Sequence, residues 1–240
     1  MNRRNYAREL SRLIEKTELL PSPYRTGRPT LLLHACCGPC SSSVLEQLVP
    51  HFEVTVFWYN PNLYPEPEFE KRLAAQKELL KKAGLEDRVK LLETNWRGEE
   101  YRVAVRGREN APEGGARCEA CFRLRLTECA GMAKEAGYDF FGTTLTVSRH
   151  KNTQLINRIG EEIAAETGTV WLPADFKKNN GENRSVELSE QYGLYRQDYC
   201  GCEFSLRSRN SAGNKENDGK AGIREDGREE PCNCMQDNGN

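Results

Sequence analysis

Seven cysteines stand in three tight groups: Cys36, Cys37 and Cys40 in LLLHACCGPCSSS, Cys118 and Cys121 in RCEACFRLR, and Cys200 and Cys202 in YRQDYCGCEFS. Thiolates two to four positions apart present soft ligands to one metal centre. Groups so distant in sequence, brought together in space, would support redox metal chemistry. A four-iron cluster takes four thiolates, and a structural zinc also takes four ligands. The surplus over one such centre points to a second metal beside the first, or to a redox-active thiol pair able to close a disulfide. The second metal is favoured, because vicinal Cys36 and Cys37 do not readily serve one centre together. Structural zinc, and a reactive dithiol without metal, remain open as alternatives.

Local geometry refines this. If Cys37 to Cys40 begin a helix, those two share a face, and Cys36 points elsewhere. Cys118 and Cys121 have the same spacing at the start of a long helix, whose positive end favours thiolates. Gly201, between Cys200 and Cys202, permits a sharp turn or a close backbone approach. Cys129 lies within a helix and is expected to fill apolar space. Cys232 and Cys234 sit in a polar tail and are left out of the site. His34 is expected to be a satisfied residue at a strand end, and His51 and His150 belong to no constellation.

The elements that must position these residues can be read from periodicity. Tyr6, Leu10, Leu13 and Ile14 recur at helical spacing, predicting a helix over 4–17. Thr30–His34 and Phe52–Tyr59 read as buried strands, with Val89–Glu93, Tyr138–Leu145 and Thr169–Leu172 as three more. Helices are predicted after Cys40 through Leu48, over 67–83, around 99–106, and over 118–136, 152–166 and 185–192. The alternation predicts an α/β fold, with a five-stranded parallel sheet carrying helices on both faces. Ligands then gather at the carboxyl ends of the strands. The cysteines after the first strand, Asn60 to Asn62, Ser148 to Lys151 and Asp175 to Lys178 all follow strands, so they map to that edge.

The chain has 240 residues and a formal net charge of −1, with 37% hydrophobic residues. The apolar deficit is concentrated at the end. Residues 1–207 are expected to form a single α/β catalytic domain, and 208–240 a disordered, dispensable polar tail. No apolar run is long enough to span a bilayer and the first residues lack a signal core, so a cytoplasmic location is expected. A reducing compartment favours metal-bound or catalytic cysteines over a disulfide framework. Net charge gives no sign of nucleic acid. Basic groups do occur at Arg102, Arg106 and Arg108, at Arg117, Arg123 and Arg125, and at Lys177, Lys178 and Arg184. Each reads as a solvated face.

Taken in order, HACCGPCSS, YNPNLYPEPEFEKR, RCEACFRLRL, FGTTLTVSRHKN and DFKKNNGENRSVELSEQYGLYRQDYCGCEFS resemble the QueH-type epoxyqueuosine reductases, from about Leu31 to Ser205. The resemblance implies a fold like that of adenine-nucleotide α-hydrolase domains. The loop after the first strand carries HACCGPC in place of a glycine-rich phosphate loop, so ATP use is not implied. The family's reaction reduces the epoxide of epoxyqueuosine, at the tRNA wobble position, to the alkene of queuosine. The implied cofactors are a 4Fe-4S cluster and an adjacent non-cluster iron, held among Cys36, Cys37, Cys40, Cys118, Cys121, Cys200 and Cys202. Cys36 is also placed in the catalytic set. The implied partners are GUN-anticodon tRNAs for Asp, Asn, His and Tyr, together with an unidentified electron donor. The chemistry needs two electrons and two protons; the iron would act as a Lewis acid toward the epoxide oxygen. Asp175, Asp198 and Tyr199 are proton-donor candidates by position. Arg149, Lys151, Lys177, Lys178 and Arg196 are candidates for phosphate contacts, and Tyr59 or Tyr64 for stacking on an unpaired base.

Overall fold

The computed structural model describes residues 4–19 and 27–218. In chain order the elements are α1 (Tyr6–Leu19), β1 (Thr30–His34), α2 (Gly38–Leu48), β2 (Glu53–Trp58), α3 (Glu66–Lys82) and β3 (Lys90–Glu93). They continue with α4 (Gly98–Ala104), α5 (Ala116–Ala136), β4 (Phe140–Thr143), α6 (Thr153–Thr167), α7 (Gly181–Gln191) and α8 (Glu203–Asp218). A turn of 3₁₀ helix, Thr144–Val147, follows β4 directly.

The strands form one parallel sheet in the order β3-β2-β1-β4. β1 is central, and TLLLH reads as an unbroken apolar run because both faces are covered. Leu31 and Leu33 pack on one side with Val44, Leu45 and Leu48 of α2 and Leu79 and Leu80 of α3. Leu32 packs on the other with Phe122, Leu126 and Ala130 of α5 and Ile156 and Ile159 of α6. The chain reverses order on either side of β1, which opens a crevice at the carboxyl ends of β1 and β4.

Two expectations need correction. The sheet has four strands among the described residues, not five. The segment predicted as a fifth makes only an isolated bridge between Phe141 and Trp171. Phe141 N donates to Val170 O and Leu172 N to Phe141 O, but Ala174 N, the donor the next rung would need, is taken by Asn157 Oδ1 at 3.0 Å, and the ladder stops there. Second, α8 continues to Asp218, past the position where a disordered tail was expected to begin. Residues 219–240, with Cys232 and Cys234, lie outside the described residues. No described helix is long and apolar enough to cross a membrane.

Candidate metal centre

The first thiol group is built by the junction of β1 and α2. The thiols of Cys36, Cys37 and Cys40 lie within 4.8 Å of one another, close enough to share one metal ion. The expectation that Cys36 points away is therefore wrong. Cys37 is not helical; it caps α2 in extended conformation, with φ −170° and ψ 154°. Cys36 stands at a bend just before it, and the bend turns the vicinal side chains inward together. Cys40 N donates to Cys37 Sγ at 3.3 Å, and Gln197 Nε2 donates to the same sulphur at 3.3 Å. Hydrogen bonds from Cys37 and Cys40 push the Cys36 thiol well below its ordinary range. Burial raises Cys37 to about 12.

Gly38 fixes where this group stands. A Cβ there would lie 2.5 Å from the Ala75 carbonyl oxygen of α3, which is backbone and cannot swing aside. Gly38→Ala is therefore expected to push α2 off α3, lowering stability by about 1–3 kcal/mol. Denaturant midpoint and bound metal, measured together, check this. Unchanged values in both would show that the close approach is dispensable.

The second group gathers Cys118 and Cys121 from the first turn of α5 with Cys200 and Cys202. Cys121 and Cys202 pack with Tyr101 and Val105 in one buried cluster. Gly114 N donates to Cys118 Sγ at 3.2 Å. The helix terminus does not favour the α5 thiolates here. Burial outweighs it and raises both thiols, Cys121 to about 12; charge on Cys200 raises each further. The Tyr199–Cys202 turn is anchored by Arg72, whose Nη1 donates to Cys200 O (3.2 Å) and Nη2 to Tyr199 O (3.4 Å). Gly201, with φ +115°, fits against Leu63 and Arg72 where a Cβ would collide with both.

Both groups border a cavity of about 830 Å³ at the carboxyl edge of the sheet. Cys36, Cys40 and Cys200 line it, with Leu145, Val147, Lys151 and Gln197. Lys151 Nζ donates to Cys200 Sγ at 2.9 Å. Burial disfavours its charge, but its contact with Cys200 holds its pKa above the ordinary value.

The other expected site residues divide. Asp198, Tyr199, Arg149 and Arg196 line the cavity. Asp198 pairs with Arg209 at 2.7 Å, and Arg149 pairs with Glu182 at 2.7 Å. Tyr199 OH donates to Tyr64 O at 2.7 Å, and burial raises its pKa to about 12. Asp175 does not line the cavity; it accepts from Thr153 Oγ1 at 3.4 Å. Lys177 braces the same corner from inside, donating to Lys151 O at 3.1 Å and to Thr153 Oγ1. Lys178 is exposed. Tyr59 is 1% exposed and donates to Glu100, so no base can stack on it; Tyr64 is half-buried. Cys129 fills the core, as expected. His34 is buried between Thr143 and Tyr59 O, also as expected.

Three functional neighbours escaped the sequence: Arg72, Arg125 and Gln197. Arg117 and Arg125 were read as a solvated face, yet they are 5% and 2% exposed. The spacing of four between Cys121 and Arg125, which puts both on one helix face, was the available signal.

The family model for epoxyqueuosine reductase QueH matches residues 31–208. The chain is 43% identical over 182 residues to the epoxyqueuosine reductase QueH of Streptococcus pyogenes, covering 75% of this chain and 71% of that one. It is 38% identical over 208 residues to that of Staphylococcus epidermidis, covering 84% of each. The protein of the same name from Thermotoga maritima is 35% identical over 180 residues, 75% of this chain and 92% of that one. The matched span contains every thiol of both groups and every wall of the cavity except Arg209, and on that evidence the chain belongs to the QueH family.

Proposed function

We propose that this chain reduces the epoxide of epoxyqueuosine, at the wobble position of tRNA, to the alkene of queuosine. The observation that carries the reading is a cavity lined by Cys36, Cys40 and Cys200, from two distant segments, with Cys37 beside the first two and Cys121 packed against Cys202, in a QueH family member. Epoxide, two electrons and two protons give alkene and water. The donor set fits iron: all seven ligands are soft, and two buried cations stand against them without a carboxylate. By donor count, Cys118, Cys121, Cys200 and Cys202 would hold a four-iron cluster. Cys36, Cys37 and Cys40, within 4.8 Å of one another, would hold the separate iron. Together these groups supply single electrons and a Lewis-acidic site when bound.

The rest falls to side chains. The cavity is large enough for a modified base, which must be splayed out of the anticodon stack to enter. Leu145, Val147 and Val186 line its apolar side and limit water. Arg149, Arg196 and Arg209 at the rim suit phosphates of the anticodon loop. The departing oxygen needs a proton. Of Asp175, Asp198 and Tyr199, Tyr199 both lines the cavity and retains its proton at neutral pH, so it is the favoured donor. Natural substrates would be the GUN-anticodon tRNAs for Asp, Asn, His and Tyr, in the cytoplasm. Residues 1–207 would form the catalytic unit.

The test is nucleoside mass spectrometry. Epoxyqueuosine-containing tRNA is incubated anaerobically with iron-loaded protein and a chemical reductant, without ATP. Queuosine is the expected product. Persistence of epoxyqueuosine beside an intact, reducible chromophore would refute the reading.

A further inference from the structure

Arg125 is a cation enclosed by the protein. Its side chain leaves α5 one turn after Cys121 and is 2% exposed. Nε donates to the Cys121 carbonyl oxygen at 3.4 Å and Nη1 to Asn60 Oδ1 at 3.5 Å. Both partners are neutral and both contacts are long. No carboxylate among the described residues pairs with Arg125, nor with Lys151, whose contact is Cys200. A buried charge without a counter-charge is strongly disfavoured. His34 cannot supply one, because an imidazole ring is neutral or cationic.

The counter-charges are sulphur. Cys121, Cys36 and Cys200 lie near enough to act on the guanidinium electrostatically, in that order of strength. Those residues come from both thiol groups. Asn60 completes the bridge on the first side, since its Nδ2 donates to Ala35 O, next to Cys36, at 2.8 Å. One guanidinium therefore serves both groups.

We infer that Arg125 is a positioning residue that sets the reduction potential of the thiolate-bound metal, as a fixed positive charge shared by the two cysteine groups. The inference rests on the iron reading above. Adding an electron makes a metal–thiolate centre more negative, and a nearby fixed cation stabilises that state. Arg125 should therefore raise the potential and ease reduction of the centre by its donor.

The test is a dye-mediated reductive titration of the visible absorbance, on anaerobically iron-loaded protein. Arg125→Gln keeps hydrogen-bonding capacity and removes the charge. It should lower the one-electron reduction equilibrium about tenfold, a fall of about 59 mV. Arg125→Lys restores the charge without the planar fork and should return most of that fall. A purely structural guanidinium predicts the reverse: Lys fails like Gln. If the Gln protein binds no iron, Asn60→Asp serves instead. It places a carboxylate against Nη1 and cancels the charge while Arg125 stays in place, so the potential should fall likewise. Parent potential in the Gln or the Asp protein, with iron content intact, overturns the inference. Absence of any reducible chromophore in the parent protein would sink the iron reading itself, a separate failure.

Discussion

Cys118→Ser protein, purified anaerobically and loaded with iron, is expected to lose most of its brown absorbance and more than about a hundredfold of its turnover. Cys121→Ser, Cys200→Ser and Cys202→Ser should behave alike, because each removes one of four thiolates from the same proposed centre. Serine at Cys36, Cys37 or Cys40 should also abolish turnover, with a different analytical signature. Iron exceeds acid-labile sulphide in the parent if one iron lies outside the cluster. A lesion at Cys40 should remove that excess and leave most of the absorbance. Cys129→Ala is the internal control: that thiol faces Leu32 O in the core and should keep iron and activity. Iron, sulphide and zinc analysis of each variant decides the matter. A colourless, zinc-loaded, active parent would end the iron reading, and identical losses at Cys40 and Cys118 would end the division into two centres.

The second large effect is expected at Arg72. Its side chain is 1% exposed and its Nε donates to Glu68 Oε1 at 2.6 Å, with Glu68 only 11% exposed. Tyr195 OH donates to the same carboxylate, and two further donors of the guanidinium hold the carbonyls of Tyr199 and Cys200. Arg72→Met strands a buried carboxylate and frees the turn that carries Cys200 and Cys202. Breaking a buried pair costs about 3–5 kcal/mol, and for a chain of this size that lowers Tm by about 10 °C. Iron content should fall with it. Arg72→Lys keeps the charge but not the fork, and should recover stability better than iron. Thermal melts with iron analysis test both halves; a Met variant that melts with the parent would show that the pair contributes nothing.

Where local pattern decides structure, the sequence was readable. Thr30–His34 is a strand because both faces of the sheet are covered, and its continuous apolar run says so. α5 ends at Gly137 with φ +70°, as a glycine after a periodic run suggests. The place of Cys36, Cys37 and Cys40 at the sheet edge followed from strand polarity. Other features depend on tertiary context. Thr169–Leu172 has the composition of a strand, but Asn157, which takes the Ala174 N–H, leaves it a single partner residue. α8 has few apolar residues and gave no periodic signal. Cys36 and Cys37 were judged by helical spacing, whereas the cap at Cys37 is extended. Arg72, Arg117 and Arg125 were legible only as charges, and burial of a charge is settled by partners far away in the chain.

The order in which the thiols occur has a consequence for biogenesis. Cys36, Cys37 and Cys40 leave the ribosome early, within one β-turn-α unit, and the α2 cap they form is local. The proposed cluster site is divided instead between α5 and a turn that begins at Tyr199. At about 5–20 residues per second, translation needs several seconds to pass from Cys121 to Cys200. During that interval Cys118 and Cys121 have only half of their set. A cluster delivered then would find two thiols in a partly open crevice. Maturation of the proposed centres would therefore follow the chain: a stalled or truncated chain lacking the last turn would keep all three thiols of the first group but only two of the four proposed to hold the cluster.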